Sequence, residues 1–302
     1  MTDIFDCLVI GGGPAGLTAA IYLGRFRRRL LVIDGGWSRA EWIKLSHNLP
    51  GFPGGVEGPV LLERLREQAR LYGAEVRKGY VEALTRDRED LFTASLDNAA
   101  IVARTVILAT GVVENKPPLS HLADAIKRGV IRTCPICDGY ESMDKRVAVL
   151  GQGEHAAAEA LFLRTYTAKL TVLLTEGSPP LSFKTRQTLT EAGIALGHVG
   201  PGSVDVQDDG VTALLTGDDQ THRFDVIYSA FGITPQTALA QSIGARLDET
   251  ERLYAGDHQE TSVSGLYAAG DLVRGLNQIA VASGEAAIAA TAIHNRLPKP
   301  PA

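Results

Sequence analysis

The sequence has few cysteines, little net charge and no long apolar run. Three cysteines in 302 residues are too few for a framework of structural disulfides, which favours a reducing, cytoplasmic compartment. A net charge of −5 argues against a nucleic-acid-binding surface. No apolar run approaches the ~20 residues of a membrane span, and the N-terminus carries no basic signal region. We therefore expect a globular protein that binds neither nucleic acid nor membrane and is long enough for two domains.

Two of the three cysteines, Cys134 and Cys137, form a C-x-x-C motif. This spacing lets both sulfurs meet across one turn, so the pair can form a reducible disulfide with a thiolate pKa lowered from ~8.5 toward neutral. Asp138 follows directly and is placed to shuttle a proton to the thiolate. Half of a zinc site is the alternative, but zinc needs two further Cys or His ligands, and Cys7 lies in an apolar run. We predict Cys134, Cys137 and Asp138 as catalytic residues and no metal.

The N-terminal segment carries a dinucleotide-binding pattern. A strand at residues 6–10 leads into G-x-G-x-x-G, a helical pattern and a second strand that ends at Asp34. Gly11 permits the tight turn, Gly13 lets the backbone approach a pyrophosphate, and Gly16 lets helix and strand pack closely. The phosphates are expected at the helix N-terminus, with Asp34 on the ribose hydroxyls. The alternative is a glycine-rich turn without a ligand, and the flanking strands and the acid in register favour the dinucleotide.

Another unit of strand, glycine turn and helix begins near residue 146. The turn reads G-x-G-x-x-A from Gly151 and Gly153, and the next strand leads to Glu176. An acid there binds the ribose 2′-hydroxyl of NAD and would repel the 2′-phosphate of NADPH. The alternative is a vestigial turn, since Glu154 puts a negative charge where phosphates would sit. Gly151, Gly153 and Glu176 are thus possible nucleotide contacts, and NADH and NADPH are doubtful electron donors.

Hydrophobic patterning adds two helices and a set of strands. An amphipathic helix is predicted at residues 60–71 and a long Ala-rich helix at 278–293. Short antiparallel strands are predicted over residues 206–228.

These motifs, in this order, resemble those of the low-molecular-weight thioredoxin reductases, which are class II pyridine nucleotide-disulfide oxidoreductases. The resemblance covers nearly the whole chain, and the matching stretches are Gly11-Gly12-Gly13-Pro14-Ala15-Gly16, Asn48 with Pro50-Gly51-Phe52-Pro53, Ala109-Thr110-Gly111, Cys134-x-x-Cys137-Asp138-Gly139, Gly232 with Pro235-Gln236-Thr237, and Ala269-Gly270-Asp271. It implies an α/β fold with two Rossmann-like, three-layer ββα dinucleotide-binding domains, the second inserted in the first. We expect an FAD-binding domain from residues 1–115 and 243–302. An inserted pyridine-nucleotide-like domain at 116–242 would carry the C-x-x-C and be joined by linkers at Pro117-Pro118 and 231–235.

The resemblance also implies FAD, and it implies which residues contact it. The first glycine motif would hold the ADP half of FAD, Asp271 its ribitol side, and the stretch 277–279 would lie against the flavin ring. Cys137 is assigned to the flavin side of the redox pair, and a homodimer is implied. The expected FAD contacts are Gly11, Gly13, Pro14, Ala15, Gly16, Asp34, Asn48, Thr110, Gly111, Gly270, Asp271, Gln278 and Ile279.

The chain departs from that family near the second nucleotide site. NADPH-binding members follow the second-domain strand with a His-Arg-Arg-x-x-x-Arg pattern, whereas this chain reads Thr175-Glu176-Gly177-Ser178-Pro179-Pro180. Arg39 before His47-Asn48, and the pair Tyr140-Glu141, resemble relatives that oxidise small dithiols, such as the dithiolopyrrolone and gliotoxin oxidases. Those oxidases carry His after the second Cys, whereas Asp138 keeps the reductase residue.

Three functions stay open on this basis. The leading one is an FAD-dependent thiol-disulfide oxidoreductase that passes electrons between flavin, the Cys134–Cys137 pair and a thioredoxin-like protein or a small-molecule disulfide or dithiol. The first alternative is a flavin dithiol oxidase, in which reduced flavin passes electrons from a small dithiol to oxygen. The second is a flavin-holding redox sensor without turnover.

Overall fold

Helices and strands alternate along most of the chain in this computed structural model, which describes residues 4–96, 99–117, 119, 121–207, 210–216 and 221–300. The helices are α1 (Pro14–Arg25), α2 (Gly58–Leu71), α3 (Leu122–Arg128), α4 (Pro135–Asp138), α5 (Gly153–Leu163), α6 (Phe183–Glu191), α7 (Ala238–Ser242) and α8 (Ile279–Arg296). The strands are β1 (Ile4–Ile10), β2 (Leu30–Asp34), β3 (Glu75–Lys78), β4 (Ala83–Arg86), β5 (Phe92–Leu96), β6 (Ala99–Leu108), β7 (Val112–Glu114), β8 (Ile131–Arg132), β9 (Val147–Gly151), β10 (Leu170–Thr175), β11 (Ala195–Val199), β12 (Val204–Gln207), β13 (Gly210–Leu214), β14 (Thr221–Phe224), β15 (Val226–Ala230), β16 (Ile233–Pro235) and β17 (Leu266–Ala268). Within the described parts of the chain, every helix is too short or too polar to cross a bilayer.

The first sheet has seven strands and draws on both ends of the chain. Its order is β3-β2-β1-β6-β5-β4, and β17 pairs in parallel with β6. β1 is central, with β2 and β6 parallel to it on either side. Alternate residues of β1 enter opposite cores, since Cys7 and Val9 pack with α1 and α8 while Leu8 and Ile10 pack on the other face. The first glycine turn therefore starts at the carboxyl ends of the parallel strands of this mixed sheet, where α/β folds bind ligands.

The second sheet has five parallel strands in the order β11-β10-β9-β15-β8. Helices α5 and α6 pack on one face, and the antiparallel strands β12, β13 and β14 cover the other. The antiparallel prediction for residues 206–228 holds for β12 to β14 and is wrong for β15. All five residues of β15 are buried, as is usual for an interior parallel strand. Together the two sheets confirm the predicted α/β, Rossmann-like fold class.

The chain crosses between the sheets twice, and the two crossings run side by side. β7 follows the first sheet and β16 follows the second, and they pair in antiparallel register from Glu114–Ile233 to Val112–Pro235. The linker predicted at 231–235 therefore contains a strand. Pro117 belongs to the other crossing, and Pro118 lies outside the described residues. The domain limits at 115/116 and 242/243 stay a prediction.

Candidate active site

The first glycine turn joins β1 to α1 through two close backbone approaches. A Cβ at Gly11 would collide with the carbonyl of Ala109, and one at Gly16 would collide with the carbonyl of Gly11. Gly11 also has φ = +118°, which favours glycine. No side chain of the described residues caps α1 at Gly13, so its first-turn N–H groups are available to an anion.

Asp34, at the end of β2, lies directly against this turn. A Cβ at Gly12 would collide with its carboxylate. Oδ1 accepts a hydrogen bond from the N–H of Gly36 at 2.9 Å, and Oδ2 lies 3.3 Å from Nη2 of Arg66. The acid therefore sits where the sequence pattern predicts it, with its orientation fixed by neighbours.

A continuous cleft brings together nearly all residues that were predicted to contact FAD. Gly16 lies beneath the turn rather than in the cleft wall. The residues that line the cleft are Gly11, Gly13, Pro14, Ala15, Asp34, Asn48, Thr110, Gly111, Gly270, Asp271, Gln278 and Ile279, and Cys137 lines it as well.

Arg39 enters the same cleft and pairs with two carboxylates. Its Nη1 lies 3.0 Å from Oδ2 of Asp271, and its Nε donates to Glu114 at 2.6 Å. Burial raises the pKa of Glu114, and the charge of Arg39 opposes this rise. The sequence singles out Arg39 only through a resemblance. It does not reveal the pairing with Asp271, 232 residues away, because no local pattern reports it.

The predicted cysteines form a disulfide at the start of α4, with their Cα atoms 5.3 Å apart. Nε2 of Gln278, the residue before α8, lies 3.6 Å from Sγ of Cys134 and 3.4 Å from Sγ of Cys137. Oε1 of Gln278 accepts from Nδ2 of Asn48 at 2.8 Å, and Asn48 also donates to the carbonyl of Ile136 at 3.3 Å. Three distant parts of the chain therefore meet at the disulfide.

Asp138 ends α4 inside a hydrogen-bonded group that includes Arg132, Ser142 and Tyr228. The hydroxyl of Tyr228 lies 2.8 Å from Oδ1 of Asp138, and Nε of Arg132 lies 3.7 Å from Oδ2. Burial raises the pKa of the Asp138 carboxyl, while Arg132 and the hydrogen bond from Tyr228 oppose the rise. Sequence reasoning found Asp138 but neither Arg132 nor Tyr228, which carry no motif.

The second glycine turn differs from the first because the chain folds back over it. The N–H of Gly153, the first residue of α5, donates to Oγ of Ser178 at 2.9 Å. The carboxylate of Glu154 accepts from the N–H of Ser182 at 2.7 Å and from Oγ1 of Thr185 at 2.5 Å. Glu154 is thus held by the start of α6, which the sequence pattern does not indicate.

The other two possible nucleotide contacts flank this turn. Gly151 packs against β15, where a Cβ would collide with the carbonyl of Ala230. Glu176 follows β10 as predicted and is exposed. The three predicted residues therefore surround one turn, which is covered by residues 178–182.

Cys7 lies within β1 and is fully buried, and burial raises the pKa of its thiol to about 12. Among the residues that the structure describes, no group of three or more His, Cys, Asp or Glu side chains is arranged to hold a metal ion.

The family model of the pyridine nucleotide-disulphide oxidoreductases matches residues 5–286. The chain belongs to this family. It is accordingly a flavin-dependent disulfide oxidoreductase, and the predicted resemblance to thioredoxin reductases is confirmed.

Individual relatives of this oxidoreductase match it over at least 96% of the chain. A thioredoxin reductase of Bacillus subtilis (strain 168) is 28% identical over 309 residues, covering 97% of this chain and 94% of the relative. The crystal structure of a thioredoxin reductase from Streptococcus pyogenes MGAS5005 is 25% identical with a TM-score of 0.88, covering 98% of both chains. That of the atypical thioredoxin reductase TRi from Desulfovibrio vulgaris Hildenborough is 32% identical with a TM-score of 0.54, covering 96% of this chain and 97% of the other.

Proposed function

We propose that the protein is an FAD-dependent thiol–disulfide oxidoreductase of the thioredoxin reductase type. Electrons pass between flavin, the Cys134–Cys137 pair and an external dithiol or disulfide. One observation carries this proposal: Gln278 contacts both sulfurs and lines the cleft together with Cys137. The redox pair therefore borders the space in which the cofactor would lie.

The residues of the cleft fit FAD. The first turn of α1 offers N–H groups to a pyrophosphate, and Asp34 beside it suits the hydroxyls of the adenosine ribose. Asp271, held by Arg39, suits the ribitol hydroxyls. When bound, the flavin supplies a two-electron donor and acceptor beside Cys137.

The cysteines and Asp138 carry the exchange with the external partner. To reduce an external disulfide, a thiolate of the reduced pair attacks one sulfur, which forms a mixed disulfide and releases one thiolate that takes up a proton. The second cysteine, having lost its proton, attacks the mixed disulfide. That step releases the second external thiol and leaves the Cys134–Cys137 disulfide. Asp138 holds or supplies the protons, and dithiol oxidation is the same sequence reversed.

The partner is a thioredoxin-like protein or a small-molecule disulfide or dithiol, and the working unit is a homodimer. The FAD domain comprises 1–115 and 243–302, with 116–242 inserted.

The covered second glycine turn supports the dithiol oxidase as a second candidate. Oγ of Ser178 accepts the hydrogen bond from the N–H of Gly153 that a nucleotide phosphate would accept. Glu176 lies where NADPH-binding relatives have Arg. With nucleotide access restricted, electrons would enter from a dithiol, and reduced flavin would pass them to oxygen.

An anaerobic titration tests the proposal. The purified protein is expected to carry about one FAD per chain, as one FAD fingerprint requires. Dithiothreitol should bleach the flavin of the wild type and leave that of Cys137→Ser oxidised, while dithionite, as the control, bleaches both. A colourless protein that added FAD does not restore would refute the proposal. Oxygen uptake with dithiols, measured against nucleotide oxidation, separates the two candidates.

A further inference from the structure

The side chains of Tyr228, Ser142 and Arg132 form a hydrogen-bonded group around Asp138 that the C-x-x-C motif does not specify. Tyr228 extends from β15, and its hydroxyl lies 2.8 Å from Oδ1 and 3.0 Å from the backbone carbonyl oxygen of Asp138. The nearer, charged Oδ1 is the stronger acceptor for its proton. Because that single proton is used on the carboxylate, Ser142 donates to the Tyr228 oxygen at 2.9 Å, as does Nη1 of Arg132 at 3.3 Å. Donors that point into the phenol oxygen strengthen its own O–H as a donor.

The two carboxylate oxygens of Asp138 have different neighbours. Oδ1 accepts from the hydroxyl of Tyr228, and Oδ2 forms an ion pair with Arg132 at 3.7 Å from Nε, whose N–H donates to the carbonyl of Gly129. A purely structural tie between α4 and the second sheet already exists, because Nη1 of Arg132 donates to the backbone carbonyl of Asp138 at 2.7 Å. The side-chain contacts are therefore additional, and they act on the charged group itself.

We infer that Tyr228 and Arg132 are positioning residues that favour the ionised Asp138 carboxylate against its burial and orient it for proton transfer to and from the Cys134–Cys137 thiols. The inference rests on the proposed thiol–disulfide exchange. When an external thiolate opens the enzyme disulfide, one S–S bond forms, one breaks, and the released cysteine takes up a proton. In the reverse step the cysteine gives that proton up. Tyr228 and Arg132 set how readily Asp138 holds it.

Other charged groups also face this carboxyl. Glu141 raises its pKa and Lys145 lowers it. Nε2 of His47, from the loop before Asn48, lies 3.9 Å from Oε1 of Glu141. None of these groups changes when a hydroxyl is removed from Tyr228, which makes Tyr228→Phe the selective variant.

The test is the pH dependence of thiol alkylation in the reduced protein. Iodoacetamide is added across a pH series, and carbamidomethylation of Cys134 and Cys137 is quantified by mass spectrometry. Wild type should show a step that Asp138→Asn removes. Tyr228→Phe should move that step upward by about one pH unit, the tenfold change expected when one hydrogen bond to a charged group is lost. Ser142→Ala should move it in the same direction by less, and it serves as the second variant if Tyr228→Phe does not fold.

Tyr166→Phe is the matched control. Its ring packs against Gly139, next to Asp138, and among the described residues its hydroxyl makes no hydrogen bond to that carboxyl. The inference is overturned if the step stays in place in Tyr228→Phe, if Tyr166→Phe moves it equally, or if Asp138→Asn leaves the wild-type profile unchanged. Alkylation needs only reduced thiols, so a wild type without disulfide turnover would refute the proposed function separately.

Discussion

Pyridine nucleotides are expected to reduce the flavin of this protein slowly, because the second glycine turn is covered by the chain itself. A nucleotide phosphate at α5 must displace Oγ of Ser178 from the N–H of Gly153. One neutral hydrogen bond contributes about 1 kcal/mol, which is roughly fivefold in affinity. Both NADH and NADPH bear this cost.

For NADPH, the site also lacks the favourable contacts that the 2′-phosphate usually receives. Relatives that bind it supply arginines to the 2′-phosphate, and this chain has Thr175-Glu176-Gly177-Ser178-Pro179-Pro180 in that place. Two missing charge-assisted bonds, at about 1.5–3 kcal/mol each, amount to ~3–6 kcal/mol, or ~10²–10⁴ in affinity relative to a site with two arginines. Glu176 is exposed, so solvent screens its repulsion and NADH is expected to be only modestly better than NADPH.

Anaerobic stopped-flow bleaching of the flavin measures the rate at which each nucleotide reduces it. Ser178→Ala frees the N–H of Gly153 and should speed reduction by NADH a fewfold. Thr190→Ala is the control, because that hydroxyl bonds the carbonyl of Arg186 within α6, and it should change nothing. Fast reduction of the wild type by micromolar NADPH, with NADH much slower, would refute the reasoning.

Four further variants test the site. Cys134→Ser and Cys137→Ser should each abolish disulfide turnover while FAD stays bound, and only Cys134→Ser should show a thiolate–flavin charge-transfer band; turnover in either variant would place the chemistry elsewhere. Asp138→Asn should keep the fold and slow turnover by ~10²–10⁴, and an unaltered rate would remove Asp138 from the mechanism. Arg39→Gln leaves Glu114 and Asp271 facing each other and should lower the free energy of unfolding by about 2 kcal/mol at neutral pH. Burial already raises the pKa of Glu114, and removal of Arg39 raises it further. The loss of unfolding free energy should therefore shrink as the pH falls and the carboxyl gains its proton. Urea unfolding at pH 7 and pH 5 measures this difference.

The local pieces of this fold could be predicted because their signals are local. Strand, glycine turn and helix follow one another within about 30 residues, as a βαβ unit requires, so Gly11, Gly16 and Asp34 reveal their arrangement by spacing alone. The helix predicted at 60–71 is α2, and the one at 278–293 is α8, each extended by a turn or less. The C-x-x-C likewise predicts its disulfide, since the two cysteines are three residues apart.

The rest depends on contacts between distant segments. Tyr228 lies 90 residues from Asp138, and Arg39 lies 232 from Asp271. Each pair meets only because sheet order and packing bring separate strands and loops together, and one sequence carries no periodic signal for that. β15 was misassigned for the same reason: its apolar run fits either an antiparallel strand or the interior of a parallel sheet, and its neighbours β8 and β9 decide which.

The two glycine turns show how one motif serves two purposes in this oxidoreductase. The first is open at the start of α1, beside Asp34, as a dinucleotide requires. The second has the same strand, turn and helix, but the N–H of Gly153 at its helix start donates to Ser178. The sheet behind the second turn keeps another use, because β8 and β15 are neighbours and carry Arg132 and Tyr228 to the carboxyl of Asp138. If the proposed function holds, the main role of the second Rossmann-like unit is therefore to position Asp138 for the thiol chemistry, and its binding of nucleotides is weak.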